Sequence, residues 1–433
     1  MITASLPKKW TKRRLRFDAR LNPVKSELTL EGDAEVSFVP MDAVGELGGL
    51  RLDEKCVLDD VYNGYTYFRD GDVVVAKITP CFENGKTALA SGLINGVGFG
   101  TTELHVVRPG ETLDARYLFY LTIAHDFRSF GAAEMLGAGG QKRVPERFFK
   151  DWRIALPSLE TQKRLAAFLD KKTAQIDALI QKKRKLLDQL MEKRQAIITQ
   201  AVTKGLNPSA AMKDSGIDWI GQIPAHWTVN RLKYLVRDRV GLQMGPFGGM
   251  LTDLSPEPTG FKLYGQENTI SGNFELGNRW VEEQRFRNLA RYQLQANDLV
   301  ITRKGSLGSC RRFPPDALPG LADSDTIIIR FNEKKLRSAL AIILLHEAAY
   351  VAAQIESTRR GAILAGLNST VVGDLWLVCP SNAEQDAVIK WCETSIAEID
   401  TLIDAIEKSV KQASEYRSAL ITAAVTGQLQ GLQ

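Results

Sequence analysis

Apolar residues recur at intervals of three and four along two stretches of this chain. In residues 157–206 they fall at Ile176, Leu179, Leu186 and Leu187, Leu190, Ile197 and Ala201. In residues 380–429 they fall at Ile399, Leu402 and Ile403, Ile406, Val410, Ala413, Leu420 and Ala424. That period marks one apolar stripe on a helix. Neither stretch has a Pro or Gly in its interior. Pro157 and Pro380 end what precedes, Ser158 and Ser381 are natural N-caps, and Gly205 and Gly427 sit where a helix stops. At ~1.5 Å per residue, about 45 residues predict helices of roughly 70 Å. A helix that long with one apolar seam calls for a coiled-coil partner. The predicted seam is Ile176, Leu179, Leu187, Leu190 and Ile197 on the first helix, and Ile399, Ile403, Ile406, Val410 and Leu420 on the second.

The two stretches are copies of one another. A shift of 223 residues lays 157–206 on 380–429 without a gap, with more than a third of the positions identical. "ITQAVTKGL" at 198–206 meets "ITAAVTGQL" at 421–429. A second match, at an offset of 217, aligns "LPKKWTKRRLRF" from Leu6 with "IPAHWTVNRLKY" from Ile223. The chain is therefore a duplicated unit of block and helix. The first helix carries 11 basic and 5 acidic residues, the second 4 and 8. Opposite charge favours pairing of the two copies with each other. The predicted fold class is α+β: two mixed α/β blocks, residues 1–156 and 223–379, separated by two long helices, 157–206 and 380–433. The helices are expected to form an antiparallel coiled coil, giving a pseudo-twofold internal repeat. Residues 207–222, punctuated by Pro, Gly and Ser, read as a linker.

Within the blocks, β-rich runs at 71–78 and 297–304 each open on a turn signal, and 103–109 and 325–331 read as further strands. Residues 115–127 and 338–355 each read as one helix. Apart from these anchors the blocks share little sequence. Trp10 and Trp227 are expected to pin each block's first strand to its core.

Composition narrows the function. The chain has 44% apolar and 25% charged residues and a net charge of +5, which permits a nucleic-acid partner without requiring one. No run of 18 apolar residues predicts a membrane span, and a cytoplasmic location is expected. Five scattered cysteines, with no C-x-x-C pair, argue against a zinc site or disulfide framework. His105, His125, His226 and His346 form no metal-binding pattern and are expected at the surface or in packing. "ENGKT" at 83–87 has Pro80 where a phosphate-binding loop needs Gly, so it is rejected as one. "GVGFGTT" at 96–102 reads as a flexible surface loop rather than a cofactor loop. No methyltransferase tetrapeptide of the Asn-Pro-Pro-Tyr type and no nuclease-like metal cluster is present. The sequence offers a frame without a chemical centre.

"MKDSGIDWIGQIPAHW" (212–227), "GDVVVAKITPCFENGK" (71–86) and the openings of both long helices resemble the specificity subunit of type I restriction–modification systems. The resemblance covers nearly the whole chain in the expected order. It implies a non-catalytic protein with two target recognition domains, each reading one half of a split, asymmetric site in double-stranded DNA. The helices would set the unread spacer and dock two modification (methyltransferase) subunits, which restriction (translocase and nuclease) subunits join. No cofactor is implied for this chain; S-adenosylmethionine, ATP and Mg2+ would belong to the partner subunits. The rival reading is a non-catalytic coiled-coil adaptor joining protein partners.

Loops at strand ends are the expected DNA readers, since Arg and Lys bond guanine, Asn and Gln bond adenine, and phosphates take cations. In the first block the candidates are Lys77, Lys86, Gln141, Lys142 and Arg143, the last three following "GAGG". In the second they are Arg303, Lys304, Arg311, Arg312, Arg359, Arg360 and Asn368. Residues 1–156 carry 21 basic and 21 acidic side chains, so positive charge there has to arise from clustering.

Overall fold

The computed structural model describes every residue except 1–6, 8, 139, 239, 253, 305, 307, 360–365 and 430–433. Both long helices form, as Leu159–Lys204 and Asn382–Val425. The Ser158 hydroxyl accepts the Thr161 N–H at 3.3 Å and so caps the first. Gly205 and Gly427 end them in the left-handed region, at φ 73° and 75°.

The chain divides into two compact units, and each contains part of both helices. One comprises Met1–Arg184 with Glu407–Gln433, and the other Lys185–Ile406. Within each unit the start of one helix thus accompanies the end of the other, as an antiparallel pair requires. Inward positions follow a seven-residue repeat. On the first helix it runs through Ile176, Ile180, Lys183, Leu187, Leu190, Arg194 and Ile197, and on the second through Ile399, Ile403, Ile406, Val410, Ala413, Arg417 and Leu420, all at least half-buried. This corrects one seam assignment. Leu179 is 47% exposed and Ile180 only 8%. Two adjacent apolar residues satisfy a loose three-and-four pattern, but only the second keeps phase with the seam. Leu402, one residue before Ile403, is exposed for the same reason.

The duplication extends into the blocks, where sequence barely shows it. In the first unit Thr11–Arg14 pairs antiparallel with Arg153–Leu156; in the second, Thr228–Arg231 pairs with Trp376–Cys379. A four-stranded sheet follows in each. Its order is Ala19–Leu21, Leu104–Pro109, Val73–Ala76, Thr87–Leu89 in the first unit. In the second it is Leu242–Met244, Thr326–Ile329, Leu299–Thr302, Cys310–Arg312. A further sheet in each holds one parallel pair: Glu35–Val39 with Val97–Gly100, and Phe261–Tyr264 with Gly320–Ala322.

Polar clamps repeat as well. Buried Gln162 accepts the Asp114 N–H at 2.8 Å and donates to Thr112 and Pro157 carbonyls at 2.9 and 3.0 Å. Buried Gln385 accepts the Arg337 N–H at 2.8 Å and donates to Lys335 and Pro380 carbonyls at 3.1 and 3.0 Å. Asp72 and Arg108 form a buried bidentate ion pair, and Asp298 and Arg330 form its counterpart. Trp10 and Trp227 each donate a backbone N–H to a proline three residues earlier and pack beside the glycine ending a long helix, Gly427 and Gly205 respectively. Both tryptophans are buried packing residues.

Three expectations fail locally. Residues 97–100 of "GVGFGTT" are a buried central strand, not a flexible loop. Its glycines give space: a Cβ on Gly98 would lie 2.5 Å from the Phe68 ring and one on Gly100 2.6 Å from the Val39 carbonyl. The helices predicted at 115–127 and 338–355 are each two helices. Ala124 (ψ 146°) and Ala348 (ψ 119°) take extended conformations and break them. No Pro or Gly marks either break, because both halves bury apolar faces and packing overrides propensity. The second bent pair, at 61°, is apolar, but Leu340, Leu344, Val351 and Ile355 sit in the core. Among the described residues no single helix is long and apolar enough to cross a membrane. Finally, residues 207–222 are more ordered than a linker. Met212–Asp214 pairs with Gln222–Pro224, and Ile220 is buried in the second unit.

Candidate nucleic-acid interface

The central strand of each four-stranded sheet ends in a basic residue that enters a loop. Lys77 follows Val73–Ala76, and Arg303 follows Leu299–Thr302. In each unit that residue's carbonyl accepts a backbone N–H from a segment distant in sequence. Val144 donates to Lys77, and Leu367 donates to Arg303, both at 2.9 Å. The same backbone bond thus ties the strand end to a distant segment in both units.

In the first unit the structure gathers Lys77, Gln141, Lys142 and Arg143. The Thr79 N–H donates to the Lys142 carbonyl at 2.9 Å, and Leu136 and Arg143 bridge the base of the glycine loop. Gly137 and Gly140 take φ of 136° and 78°, which lets the loop turn without steric cost. Gln141, Lys142 and Arg143 are exposed. Arg143 is already engaged: its Nε and Nη2 donate to both Glu103 oxygens at 2.9 and 2.8 Å. That contact holds the Glu103 carboxyl below the usual carboxylate range despite partial burial. Lys86 is half-buried, and its ammonium donates to the Met41 carbonyl at 2.9 Å, a tether within the fold.

In the second unit Arg303 is held by the Leu367 and Ser324 carbonyls at 3.0 and 2.5 Å, with its guanidinium over the Phe247 ring. Exposed Lys304 pairs with Asp325 at 3.0 Å. Arg311 lies against His346, 3.0 Å from Nδ1. Burial, and then this neighbouring cation, hold the His346 ring below the ordinary histidine value. Arg312 is exposed at the end of its strand. Asn368 caps the short helix Ser369–Gly373, its side chain accepting the Val371 N–H at 2.9 Å. Arg359 ends a helix, but its side chain, like all of Arg360, lies outside the described residues.

Sequence reasoning missed Phe247, which stacks beneath Arg303, and His346, which faces Arg311. Neither sits near its partner in sequence, so no local signal could have found it. It also missed a groove of about 600 Å3 in the first unit, floored by Phe130, Phe148 and Trp152.

Residues 57–189 match the family described as "Type I restriction modification DNA specificity domain". The chain is 42% identical over 162 residues to the type I restriction enzyme EcoAI specificity subunit of Escherichia coli, a match covering 37% of this chain and 27% of that protein. It is 40% identical over 176 residues to the Escherichia coli EcoEI specificity subunit, covering 40% and 29%. The matched region thus spans less than a third of either relative's length. A chain solved in work on complex assembly and conformational transition of the type I R-M system superposes with a TM-score of 0.74. That likeness, at 16% identity, covers 98% of this chain and 100% of the other, and shows a shared fold. The family likeness thus covers residues 57–189, and the shared fold covers nearly the whole chain.

Proposed function

We propose that this protein is the non-catalytic, sequence-reading subunit of a type I restriction–modification complex. Each unit reads one half of a split double-stranded DNA site, and the paired helices set the spacer between the halves. The observation that carries this reading is the twin strand-end bond. Two units of unlike sequence each tie a basic residue at a strand end to a distant segment through the same backbone bond, from Val144 to Lys77 and from Leu367 to Arg303. One frame repeated in two units of unlike sequence suits one asymmetric target with two unlike halves.

The side-chain states divide the readers by role. Gln141, Lys142 and Arg312 are exposed and suit direct contact with bases or phosphates. Arg143 and Lys304 are paired with carboxylates and have to exchange Glu103 or Asp325 for DNA. Arg303, Lys86 and Asn368 shape the loops that carry the others. Methyl transfer, translocation and cleavage then belong to modification and restriction subunits, which bring S-adenosylmethionine, ATP and Mg2+. Such a protein acts on intracellular DNA, so the proposed location is the cytoplasm.

The testing experiment measures affinity for DNA against salt concentration, using the chain assembled with its modification subunits. Affinity should fall steeply with salt, and Lys142→Ala should reduce the slope by about one for the lost phosphate contact. Salt-independent binding, or methylation by the purified chain alone, would overturn the reading.

A further inference from the structure

Arg194 and Arg417 are equivalent residues of the duplicated helices, both at inward positions. Each guanidinium works in two directions. The first is across the helix pair. Arg194 Nε donates to Asp400 Oδ1 at 2.8 Å. Arg417 Nε and Nη2 donate to Asp177 at 2.8 and 3.1 Å. Asp177 and Asp400 are themselves equivalent in the repeat, so one cross-helix pair is written twice.

The second direction leads into the recognition block, by a different route in each unit. In the second unit, Arg194 Nη1 and Nη2 donate to Glu347 at 2.6 and 2.9 Å. Glu347 ends the helix Ser338–Glu347, and its neighbour His346 faces Arg311. Arg311 pairs with Val300, on the strand that runs into the Arg303 loop. Among the described residues of the first unit no carboxylate plays the part of Glu347. Arg417 Nη2 instead donates to the Leu47 carbonyl at 3.4 Å. The Leu47 N–H donates to the Gly85 carbonyl at 2.8 Å, and Glu46 bridges Lys86 and accepts from Asn84 Nδ2 at 3.0 Å. Gly85 and Lys86 close the loop that begins at Lys77. Leu47 holds φ at 56°, a left-handed conformation that a non-glycine residue rarely adopts. Strain of this kind persists where the surroundings fix the backbone for a purpose. Here the strained residue links helix arginine to reader loop with its C=O and N–H.

We propose that Arg194 and Arg417 are positioning residues, each holding the reader loops of its own unit against the helix pair and so setting discrimination at one half-site. The inference rests on the reading of this chain as a DNA-specificity subunit. Other groups at these junctions fit it. Arg128, beside Arg417, is tied to the Ile123 and Glu83 carbonyls at 3.2 and 3.1 Å, so it braces the same loop.

The test uses the full chain assembled with its modification subunits. Methylation is measured on duplexes carrying the intact site or single-base changes in either half. Wild type, Arg194→Lys and Arg417→Lys are compared, because Lys keeps the charge and loses the two-directional fork. Each variant should lose discrimination by about tenfold in one half-site only, and the two variants should affect opposite halves. Thermal midpoint and affinity for non-cognate DNA should stay at wild-type values, which a merely structural role would not allow. If either lysine variant fails to fold, Glu347→Gln in the second unit and Asp177→Asn in the first cut one arm each, and should give the same half-restricted loss at smaller size. Relaxation of both halves by one variant, or of neither, would overturn the proposal. A wild-type complex without sequence discrimination would instead refute the underlying function, and that control is read separately.

Discussion

The paired buried ion pairs predict an ordered difference between the two units. Asp298 and Arg330 have side chains 5% and 7% exposed. Arg330 Nε and Nη2 donate to the carboxylate at 2.9 and 2.8 Å, and Asp298 Oδ2 also accepts the Gln295 N–H at 2.8 Å. Replacing Asp298 with Ala leaves a buried guanidinium with the Gln293 carbonyl at 2.6 Å and no counter-charge among the described residues. Breaking one side of a buried pair costs about 3–5 kcal/mol. In the first unit Arg108 bonds Asp72 at 2.7 Å through each of two nitrogens, and the Asp72 carboxylate accepts the Arg69 N–H at 2.9 Å. There, however, Glu27 also contacts Arg108, and that bond holds the Glu27 carboxyl below its ordinary range. A remaining charged hydrogen bond retains about 1.5–3 kcal/mol, so Asp72→Ala should cost only about 1–3 kcal/mol. Hydrogen exchange read by mass spectrometry localises each effect. Protection should fall by about two decades or more in Leu299–Thr302 for Asp298→Ala, and by less in Val73–Ala76 for Asp72→Ala. Equal losses, or a larger loss for Asp72→Ala, would refute the reasoning.

The same duplicated frame carries further tests. Gly205→Ala and Gly427→Ala each force a Cβ into the left-handed region, 3.1 Å from Trp227 and 2.7 Å from Pro7 respectively. Each should lower the unfolding free energy by at least about 1 kcal/mol in denaturant titrations, with Gly427→Ala the worse for its closer contact. Gln162→Leu and Gln385→Leu each strand one backbone N–H and two carbonyls in a buried site, and should cost about 2–4 kcal/mol by the same titration. Stability should also fall on acidification. His105 and His346 are both held below the ordinary histidine value of 6.5, chiefly by burial, so their neutral forms are favoured in the folded state. Their contribution is full above that value and is lost as pH falls through the depressed folded values. Thermal midpoints measured downward from pH 7 should drop, and His346→Gln should reduce the drop.

The long helices were legible because a single-faced helix writes its period into sequence, and because the copy 223 residues on repeats it. The resolution of that signal was one residue. Leu179 and Ile180 both fit a three-and-four pattern, and only the facing helix selects Ile180. The strands at 71–78 and 297–304 were legible from β-rich runs after turn signals. The breaks at Ala124 and Ala348 were not, since alanine is the strongest helix former and the extended geometry comes from packing on both sides. The glycines of 96–102 pointed to freedom when taken alone. In the fold they mark close packing against Phe68 and Val39. Among the candidate readers, charge type was legible but engagement was not. Lys86 and Arg303 are tethered to carbonyls, and Arg143 and Lys304 to carboxylates, by partners up to 64 residues away in sequence. Gln162 and Gln385 stand at equivalent places in the repeat, and Asp72/Asp298 and Arg108/Arg330 in matched strand runs, but sequence alone does not say which groups these side chains clamp.

The measurement that bears most directly on the central claim is the methylation pattern of DNA modified by the chain together with its modification subunits. Modified bases are mapped by sequencing, beside parallel samples lacking either component. The account predicts methylation at one split sequence with a fixed spacer, absent when either component is omitted. It further predicts that grafting residues 77–86 and 136–144 from a relative of different specificity changes one half of that sequence and leaves the other half and the spacer intact. Methylation of the same sites without this chain, or a graft that alters both halves together, would contradict it.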